Sequence, residues 1–194
     1  MQRIYVFFGR IASGKSTLAE KFADHYGLPY YNTDRVRKEL AGLDPATRCA
    51  AGVNQGIYSR GGSRRTYQAM LDRARDDLQA GRPAVVLDGS YSERAEREQV
   101  LALAASQGAA AVFILCTCAE DEVKRRLAKR ARDPKAVSDG RWEIYQAQKA
   151  TFEPPDELRD RGLITIETDA PVEILLARLD KEVHGAERTG CKRT

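Results

Sequence analysis

Five short runs of apolar, mostly β-branched or aromatic residues divide this chain, and they limit its fold more than any other feature. The runs cover residues 4–8, 30–33, 84–88, 111–116 and 163–167. The segments between them are long enough to hold crossover helices, and such helices connect parallel strands. Strands that are apolar on both faces are typical of sheets covered by helices on each side. The sequence therefore predicts an α/β fold built on a parallel sheet.

Helical patterns fill the segments between these runs. They predict helices over residues 16–26, 34–41, 67–80, 92–107, 117–131, 140–151 and about 171–184. Thr117 and Glu120 have the spacing of a capping box, which predicts that the fifth helix begins at residue 117. Residues 42–66 are rich in glycine and too long for a simple connection, so we expect a substrate-binding insert there.

The length and charge of the chain fit one domain. A chain of 194 residues can bury a core without disulfides or metals. Its 32 Lys and Arg residues against 28 Asp and Glu residues leave a net charge of +4. This balance excludes a disordered polyion and does not demand a nucleic-acid partner. We expect a single domain over residues 1–184 and a flexible tail over 185–194.

The sequence shows no membrane or secretion pattern. Its longest apolar run, residues 109–116, is far too short to cross a bilayer. The first residues lead into a glycine loop with no apolar leader ahead of them. The four cysteines lack the spacing of a disulfide framework or a zinc site. We therefore expect a soluble, cytoplasmic protein with no membrane partner.

Residues 9–16, GRIASGKS, match the phosphate-loop pattern G-x-x-x-x-G-K-[ST] in full. Backbone N–H groups at the start of a helix can bind a densely charged triphosphate. Lys15 would reach the outer phosphates, and Ser16 would offer its hydroxyl to Mg²⁺. The pattern therefore predicts a nucleoside triphosphate held by Gly9, Ile11, Ala12, Ser13, Gly14, Lys15, Ser16 and Thr17.

Asp88 ends the third apolar run. Ligands bind at the carboxyl ends of strands in an open α/β sheet, so a carboxylate there suits a contact with Mg²⁺. The same residue could instead cap the helix that follows. The nearby glycine loop favours the metal role.

Asp34 follows the second run, at the same edge of the predicted sheet. Its carboxylate could accept the proton of an attacking hydroxyl. Arg37, three residues on, would share its helix face and could hold the acceptor or the transferring phosphoryl group. Asp34 is also a natural N-cap for the helix that follows, and the two roles are compatible.

The segment 124–132 is a basic helical stretch. Arg126 and Arg130 are four residues apart and face the same way, so both could neutralise charge on a transferring phosphoryl group. A solvated helix face and a contact with a nucleic-acid backbone are the alternatives.

These features together resemble the small P-loop kinases. The group includes polynucleotide kinase, zeta-type toxins, gluconate and shikimate kinases and chloramphenicol phosphotransferase. The chain is most similar to the bacterial P-loop "predicted kinase" family, an AAA-type ATP-binding domain. The similarity rests on the glycine loop, on residues 88–91 (DGSY), on the arginine-rich helix and on residues 152–155 (FEPP).

The resemblance implies a three-layer P-loop NTPase fold with a five-stranded parallel sheet in the order 2-3-1-4-5. It implies helices on both faces, an acceptor-binding insert at about 42–66 and a helical lid at about 126–140. It also implies roles for individual residues. Lys15, Asp34, Arg126 and Arg130 would be catalytic, and Asp169 would lie near the adenine. Asp34, Arg37, Asp88 and Tyr91 would contact the acceptor, and Ser16 and Asp88 would be on the metal side.

The function expected from this resemblance is transfer of the γ-phosphoryl group of Mg·ATP to a hydroxyl of a small-molecule acceptor. The first alternative is a polynucleotide 5′-hydroxyl kinase, which the arginine-rich helix favours. The second is a nucleotide-binding regulatory module without transfer activity. An intact Asp34 argues mildly against that second alternative.

Overall fold

The computed structural model describes residues 1–44, 47, 55–132 and 141–190. Its five strands are β1 (Arg3–Phe8), β2 (Tyr30–Asn32), β3 (Ala84–Asp88), β4 (Ala110–Thr117) and β5 (Leu163–Glu167). All neighbouring strands pair in parallel, in the order β2-β3-β1-β4-β5. The predicted fold class and strand order are therefore confirmed.

The helices connect these strands and cover the sheet on both faces. They are α1 (Lys15–Tyr26), α2 (Thr33–Leu40), α3 (Arg60–Gln79), α4 (Arg94–Ser106), α5 (Glu120–Ala131), α6 (Trp142–Thr151) and α7 (Val172–Gly190). Two short 3-10 turns, Gly56–Tyr58 and Asp156–Leu158, precede α3 and β5.

Each face of the sheet has its own buried cluster. On one face, residues of α3 and α4 pack on the strands, with Met70, Val100 and Phe113 fully buried. On the other face, α1 and α7 pack on the strands around Phe7, Phe22 and Leu179. These two clusters give the predicted three-layer sandwich. A smaller cluster joins the glycine loop to α5 and α6 through Ile11, Val123 and Tyr145.

Three predicted helix boundaries differ from the structure by three residues or more, and the others differ by at most two residues. Helix α5 begins at Glu120, because Thr117 is the last residue of β4 and is paired with Glu167 of β5, so Thr117 cannot form the capping box. Helix α3 begins at Arg60, seven residues before its predicted start. Helix α7 continues to Gly190, beyond the predicted end near residue 184.

Parts of three predicted segments lie outside the described residues. These parts are 45–46 and 48–54 of the insert, 133–140 of the lid and 191–194 of the tail. No helix within the described ranges is long and apolar enough to cross a membrane.

Candidate active site

The glycine loop curls tightly at the carboxyl end of β1. Gly9, Ala12 and Gly14 have φ angles of 135°, 60° and 85°. A Cβ on Gly9 would lie 2.5 Å from the carbonyl oxygen of Cys116, so only glycine fits against β4 here. Helix α1 then starts with no side-chain cap and no acidic residue in its first turn. Its first N–H groups are therefore suited to an anion.

Arg126 and Thr168 fix the loop from outside, and we call this pair the loop clamp. The Arg126 guanidinium donates to the carbonyl of Ala12 at 3.2 Å and also to the hydroxyl and carbonyl of Thr168. The Thr168 hydroxyl in turn donates to the carbonyl of Ser13. The clamp thus ties the loop to the end of β5 and to α5. Arg126 also pairs with the Glu122 carboxylate at 2.8 Å, and its predicted action on the phosphoryl group remains a prediction.

Helix α6 holds the loop from a third direction. The backbone N–H of Ile11 donates to Oε1 of Gln148 at 2.7 Å. The guanidinium of Arg10 lies 5.2 Å from the centre of the Tyr145 ring. A cavity of about 310 Å³ separates the loop from Lys149 and its neighbours on α6. These contacts link the loop to α6, the helix that follows the predicted lid in the chain.

Asp88 is fully buried at the carboxyl end of β3, as expected. Its Oδ2 atom accepts hydrogen bonds from the Tyr30 hydroxyl at 2.8 Å and from Nδ2 of Asn32 at 2.5 Å. Burial and the nearby Asp88 raise the pKa of Tyr30, so its hydroxyl remains a donor. The other oxygen, Oδ1, is buried with no partner among the described residues. This oxygen is therefore available to a ligand.

Asn32 caps helix α2. Its Oδ1 accepts the backbone N–H groups of Asp34 at 3.0 Å and Arg35 at 3.1 Å. Asp34 is thus the second residue of the helix rather than its cap. The capping alternative for Asp34 is excluded, and its carboxylate is free of that role. Since the same Asn32 side chain also donates to Asp88, one amide links the Asp88 carboxylate to the start of the helix that carries Asp34.

Asp34 forms an ion pair with Arg37. The Arg37 guanidinium donates to Oδ1 of Asp34 at 2.9 Å, and these side chains are 10% and 24% exposed. The guanidinium also lies 4.9 Å from the centre of the Tyr58 ring. Its Nε is buried without a partner among the described residues. Asp34 and Arg37 therefore come together as predicted, and Arg37 keeps an unused donor.

The segment after Asp88 packs between α2 and α3. A Cβ on Gly89 would lie 2.7 Å from Cγ2 of Thr33, so the segment needs glycine there. Tyr67 contacts the next two residues through its hydroxyl, which lies 3.0 Å from Ser90 Oγ and accepts the N–H of Tyr91 at 3.1 Å.

Tyr91 lies deeper than its predicted role suggests. It is 1% exposed, has a φ of 41° and packs its ring on Tyr67. Burial raises the pKa of its hydroxyl, which has no partner among the described residues. A contact between Tyr91 and the acceptor remains a prediction.

Arg130 is half-buried within electrostatic range of Asp34 and Asp88. Burial and the neighbouring Arg126 lower its pKa, while Asp34 and Asp88 act in the opposite direction. Arg130 is therefore within electrostatic reach of both carboxylates, whereas Arg126 belongs to the loop clamp. Arg126 and Arg130, for which the sequence predicts the same role, therefore have different surroundings.

The remaining predicted residues lie around the loop. Lys15 and Ser16 begin α1 and are half-buried, whereas Thr17 is exposed. Asp169 is exposed just after the clamp, with its carboxylate 3.8 Å from the Arg178 guanidinium. These positions fit a magnesium nucleotide, because the Ser16 hydroxyl and the unpartnered Oδ1 of Asp88 are the hard oxygen donors that Mg²⁺ prefers.

Sequence reasoning missed Tyr30, Asn32 and Gln148, and it missed the contact of Thr168 with the glycine loop, although the segment 168–171 was expected to border the adenine. An N-cap signal at Asn32 was present, since asparagine directly before a helix is a preferred cap. The other three act through contacts between residues 58 to 155 positions apart, and no local pattern indicates such contacts.

Comparison with known proteins agrees with this fold. Residues 4–155 match the model of a family described as an AAA domain. An uncharacterized protein of Mycobacterium tuberculosis (strain ATCC 25618 / H37Rv) is 33% identical over 129 residues, which are 66% of this chain and 26% of that protein. The chain thus spans about a quarter of the length of the curated relatives it matches.

Solved kinase structures share the fold at low sequence identity. A gluconokinase from Sinorhizobium meliloti 1021 is 19% identical, with a TM-score of 0.65 over 100% of this chain and 98% of that one. A sugar kinase from Janibacter sp. HTCC2649 is also 19% identical, with a TM-score of 0.65 over 95% of each chain. These likenesses show a common architecture and leave the acceptor undetermined.

Proposed function

The chain belongs to the AAA domain family and has the fold of P-loop kinases, and on that premise we propose that it is an ATP-dependent phosphotransferase. It moves the γ-phosphoryl group of Mg·ATP to a hydroxyl group of a small-molecule acceptor. The glycine loop holds the triphosphate, and the acceptor enters beside α2 and the segment after Asp88.

One observation carries this proposal. Asn32 takes over the capping of α2, so the Asp34 carboxylate at the helix start is left for chemistry. A carboxylate at this edge of the sheet, beside a phosphate loop, is suited to accept a hydroxyl proton. Arg37 holds this carboxylate in place through its ion pair.

The transfer step needs little covalent help from the protein. Asp34 accepts the proton of the acceptor hydroxyl while the hydroxyl oxygen forms a bond to the γ-phosphorus. The bond from that phosphorus to the bridging oxygen breaks, and ADP leaves with the electron pair. Lys15 and Arg130 offset the charge on the transferring group. Bound Mg²⁺ supplies further neutralisation of the phosphate oxygens and would be held on the side of Ser16 and Asp88.

The loop clamp contributes by positioning. Because Arg126 bonds to the carbonyls of Ala12 and Thr168, it fixes the loop and the segment that would border the adenine. Preorganised N–H groups stabilise developing charge without moving at the moment of reaction.

The test is a screen for ADP formation with sugars, polyols, nucleosides, amino acids, antibiotics and a 5′-hydroxyl oligonucleotide. We expect acceptor-dependent turnover that falls about 10²- to 10⁴-fold in Asp34→Asn, since general bases contribute about this much. The affinity for Mg·ATP should not change. Asp24→Asn, at an exposed site on α1, is the matched control and should keep full activity.

Two results would refute the proposal. If no acceptor class stimulates ADP formation while ATP still binds, the chain is a nucleotide-binding regulatory module. If Asp34→Asn turns over at the same rate as the wild type, another group accepts the proton.

A further inference from the structure

One stretch of the chain carries positive charge with no acidic compensation. Residues 45–71 contain four arginines and no Asp or Glu. With 28 acidic residues in 194, a stretch of 27 residues would hold about four (27 × 28/194). The stretch leads into helix α3 on the acceptor side of the proposed site.

The first turns of α3 lie at the carboxyl edge of the sheet. A crossover helix runs antiparallel to the strands it connects, so the start of α3 lies near the carboxyl ends of β2 and β3. Two contacts confirm this placement. Tyr58, two residues before α3, stacks under Arg37, and Tyr67 contacts Ser90.

Arg60 and Arg64 continue the helix stripe of Tyr67 towards that edge. Residues spaced by three and four lie on one face of a helix, so positions 60, 64 and 67 line up. Tyr67 is buried on this stripe, while both arginines are exposed. Arg65 also is exposed, but it lies about 100° around the helix from Arg64.

These arginines have no partner within the described ranges of the chain. Neither Arg60 nor Arg64 forms an ion pair or a side-chain hydrogen bond there. The first turn of α3 holds no acidic residue, so its cations oppose the positive end of the helix dipole. An arrangement that places cations at the positive end of a helix is locally unfavourable, and unfavourable local arrangements are typical of functional sites.

A second observation at the same place points to a ligand. Arg37, whose side chain is nine-tenths buried, packs against Tyr58 and keeps Nε without a partner among the described residues. A buried guanidinium with an unused donor favours an incoming hydrogen-bond acceptor. Arg37 contacts Tyr58, which lies two residues before α3, so it and the two arginines of the first turns of α3 belong to the same edge of the sheet.

We propose that Arg60 and Arg64 form an anion-binding subsite for the acceptor, so that the acceptor is a hydroxyl compound with a phosphate or carboxylate group remote from the reacting oxygen. Guanidinium groups bind both anions with paired hydrogen bonds. The inference rests on the proposed function, because the subsite lies on α3 at the sheet edge where that proposal places the acceptor. Two arginines on one stripe match a single anionic group rather than the long phosphate track of a nucleic acid.

The test compares Arg60→Gln/Arg64→Gln with Arg65→Gln, which removes a charge from the same helix on a different face. Calorimetry measures the binding of matched probes in the presence of Mg²⁺ and a non-hydrolysable ATP analogue. The probe pairs are glycerol 3-phosphate with glycerol, and gluconate with sorbitol. An oligothymidylate of eight residues with a free 5′-hydroxyl is the nucleic-acid arm.

We expect wild type to bind the anionic member of at least one pair at least 10-fold more tightly than the neutral member. The double variant should lose at least 10-fold of that affinity, and Arg65→Gln should change it by less than twofold. Nucleotide affinity should be equal in all three proteins. The phosphate pair and the carboxylate pair separate the two sources of the anion.

Three results would overturn the subsite. These are equal binding of the anionic and neutral members, equal losses in the double variant and Arg65→Gln, or tighter binding of the oligonucleotide than of every small probe. Because binding is measured without turnover, failure of the proposed function is a separate result. Anionic probes that bind through Arg60 and Arg64 but are never phosphorylated would refute the transfer reaction and leave the subsite standing.

Discussion

The change Asn32→Asp tests how the Asp88 carboxylate is held against the start of α2. It keeps a good cap for α2, because aspartate and asparagine cap helices equally well. It also replaces the donor that lies 2.5 Å from Oδ2 of Asp88 with a second carboxylate. Asp88 is 0% exposed and position 32 is 9% exposed, so solvent cannot relieve the repulsion. Loss of a hydrogen bond to a charged group costs about 1.5–3 kcal/mol. We therefore expect Asn32→Asp to lower the free energy of unfolding by about 3 kcal/mol at pH 8.

The loss of unfolding free energy caused by Asn32→Asp should depend on pH. A carboxyl group buried against a carboxylate holds its proton more strongly than one in water, so the pKa of the new carboxyl at position 32 should rise in the folded state. When the pKa of a group is higher in the folded than in the unfolded protein, the group stabilises the fold at pH values below its unfolded pKa. This stabilisation is lost as the pH rises through the folded pKa. The loss should therefore shrink to about 1 kcal/mol near pH 5, where a protonated residue 32 donates to Asp88 again.

The assay is urea denaturation followed by tryptophan fluorescence at pH 5 and pH 8. Asn32→Ser is the control, because serine caps the helix but brings no charge to Asp88. Its cost should be the same at both pH values. If Asn32→Asp and Asn32→Ser show the same pH dependence, the contact between Asn32 and Asp88 does not hold the site together.

Three other changes test the loop and the core. A methyl group at Gly14 would lie 2.8 and 2.9 Å from atoms of the loop clamp, so Gly14→Ala should weaken Mg·ATP binding at least about 10-fold by calorimetry. Gly27→Ala, also at positive φ but in open space, should leave it unchanged. The buried guanidinium of Arg97 lies 2.5 Å from the Glu157 carboxylate. Arg97→Met removes this partner and should lower the free energy of unfolding, measured by urea denaturation, by about 3 kcal/mol. A decrease below about 1 kcal/mol would contradict the importance of this ion pair. Burial raises the pKa of Glu96 to about 7, so the free energy of unfolding of the wild type should fall by up to about 3 kcal/mol between pH 4.5 and 7. If Glu96→Gln shows the same pH dependence as the wild type, another group causes that fall.

The strands could be predicted well because each is an apolar run with clear ends. The predicted runs 84–88 and 163–167 match β3 and β5 residue for residue. Parallel strands buried on both faces need continuous apolar sequence, and few other structures do. The strand order came from resemblance, since no residue pattern alone indicates which strands are neighbours.

The helix starts were harder, because packing decides them as much as local sequence. Residues 60–66 of α3 hold two glycines and three arginines, which gives no apolar period. They are helical because Ser59 caps the helix and Gly62 fits closely against Ile57. Conversely, the pattern at Thr117 is a good capping box in isolation, but pairing with β5 extends the strand through it.

The residues proposed to act in the candidate site could be predicted from the sequence, whereas the contacts that hold them in place could not. Asp88 ends a strand, and Gly9, Lys15 and Asp34 come after strand ends, where α/β folds bind ligands. Arg126 has the same local pattern as Arg130, and only the tertiary contact with the end of β5 separates the two.

The central claim is that the glycine loop holds the triphosphate with help from Lys15. Calorimetric titration of Mg·ATP into wild type, Lys15→Ala and Lys21→Ala tests it most directly, because Lys21 is exposed further along the same helix. The account predicts binding that Lys15→Ala weakens at least about 10-fold and Lys21→Ala leaves unchanged, as expected for a cation on the outer phosphates. Equal affinity in all three proteins, or no binding to wild type, would contradict it.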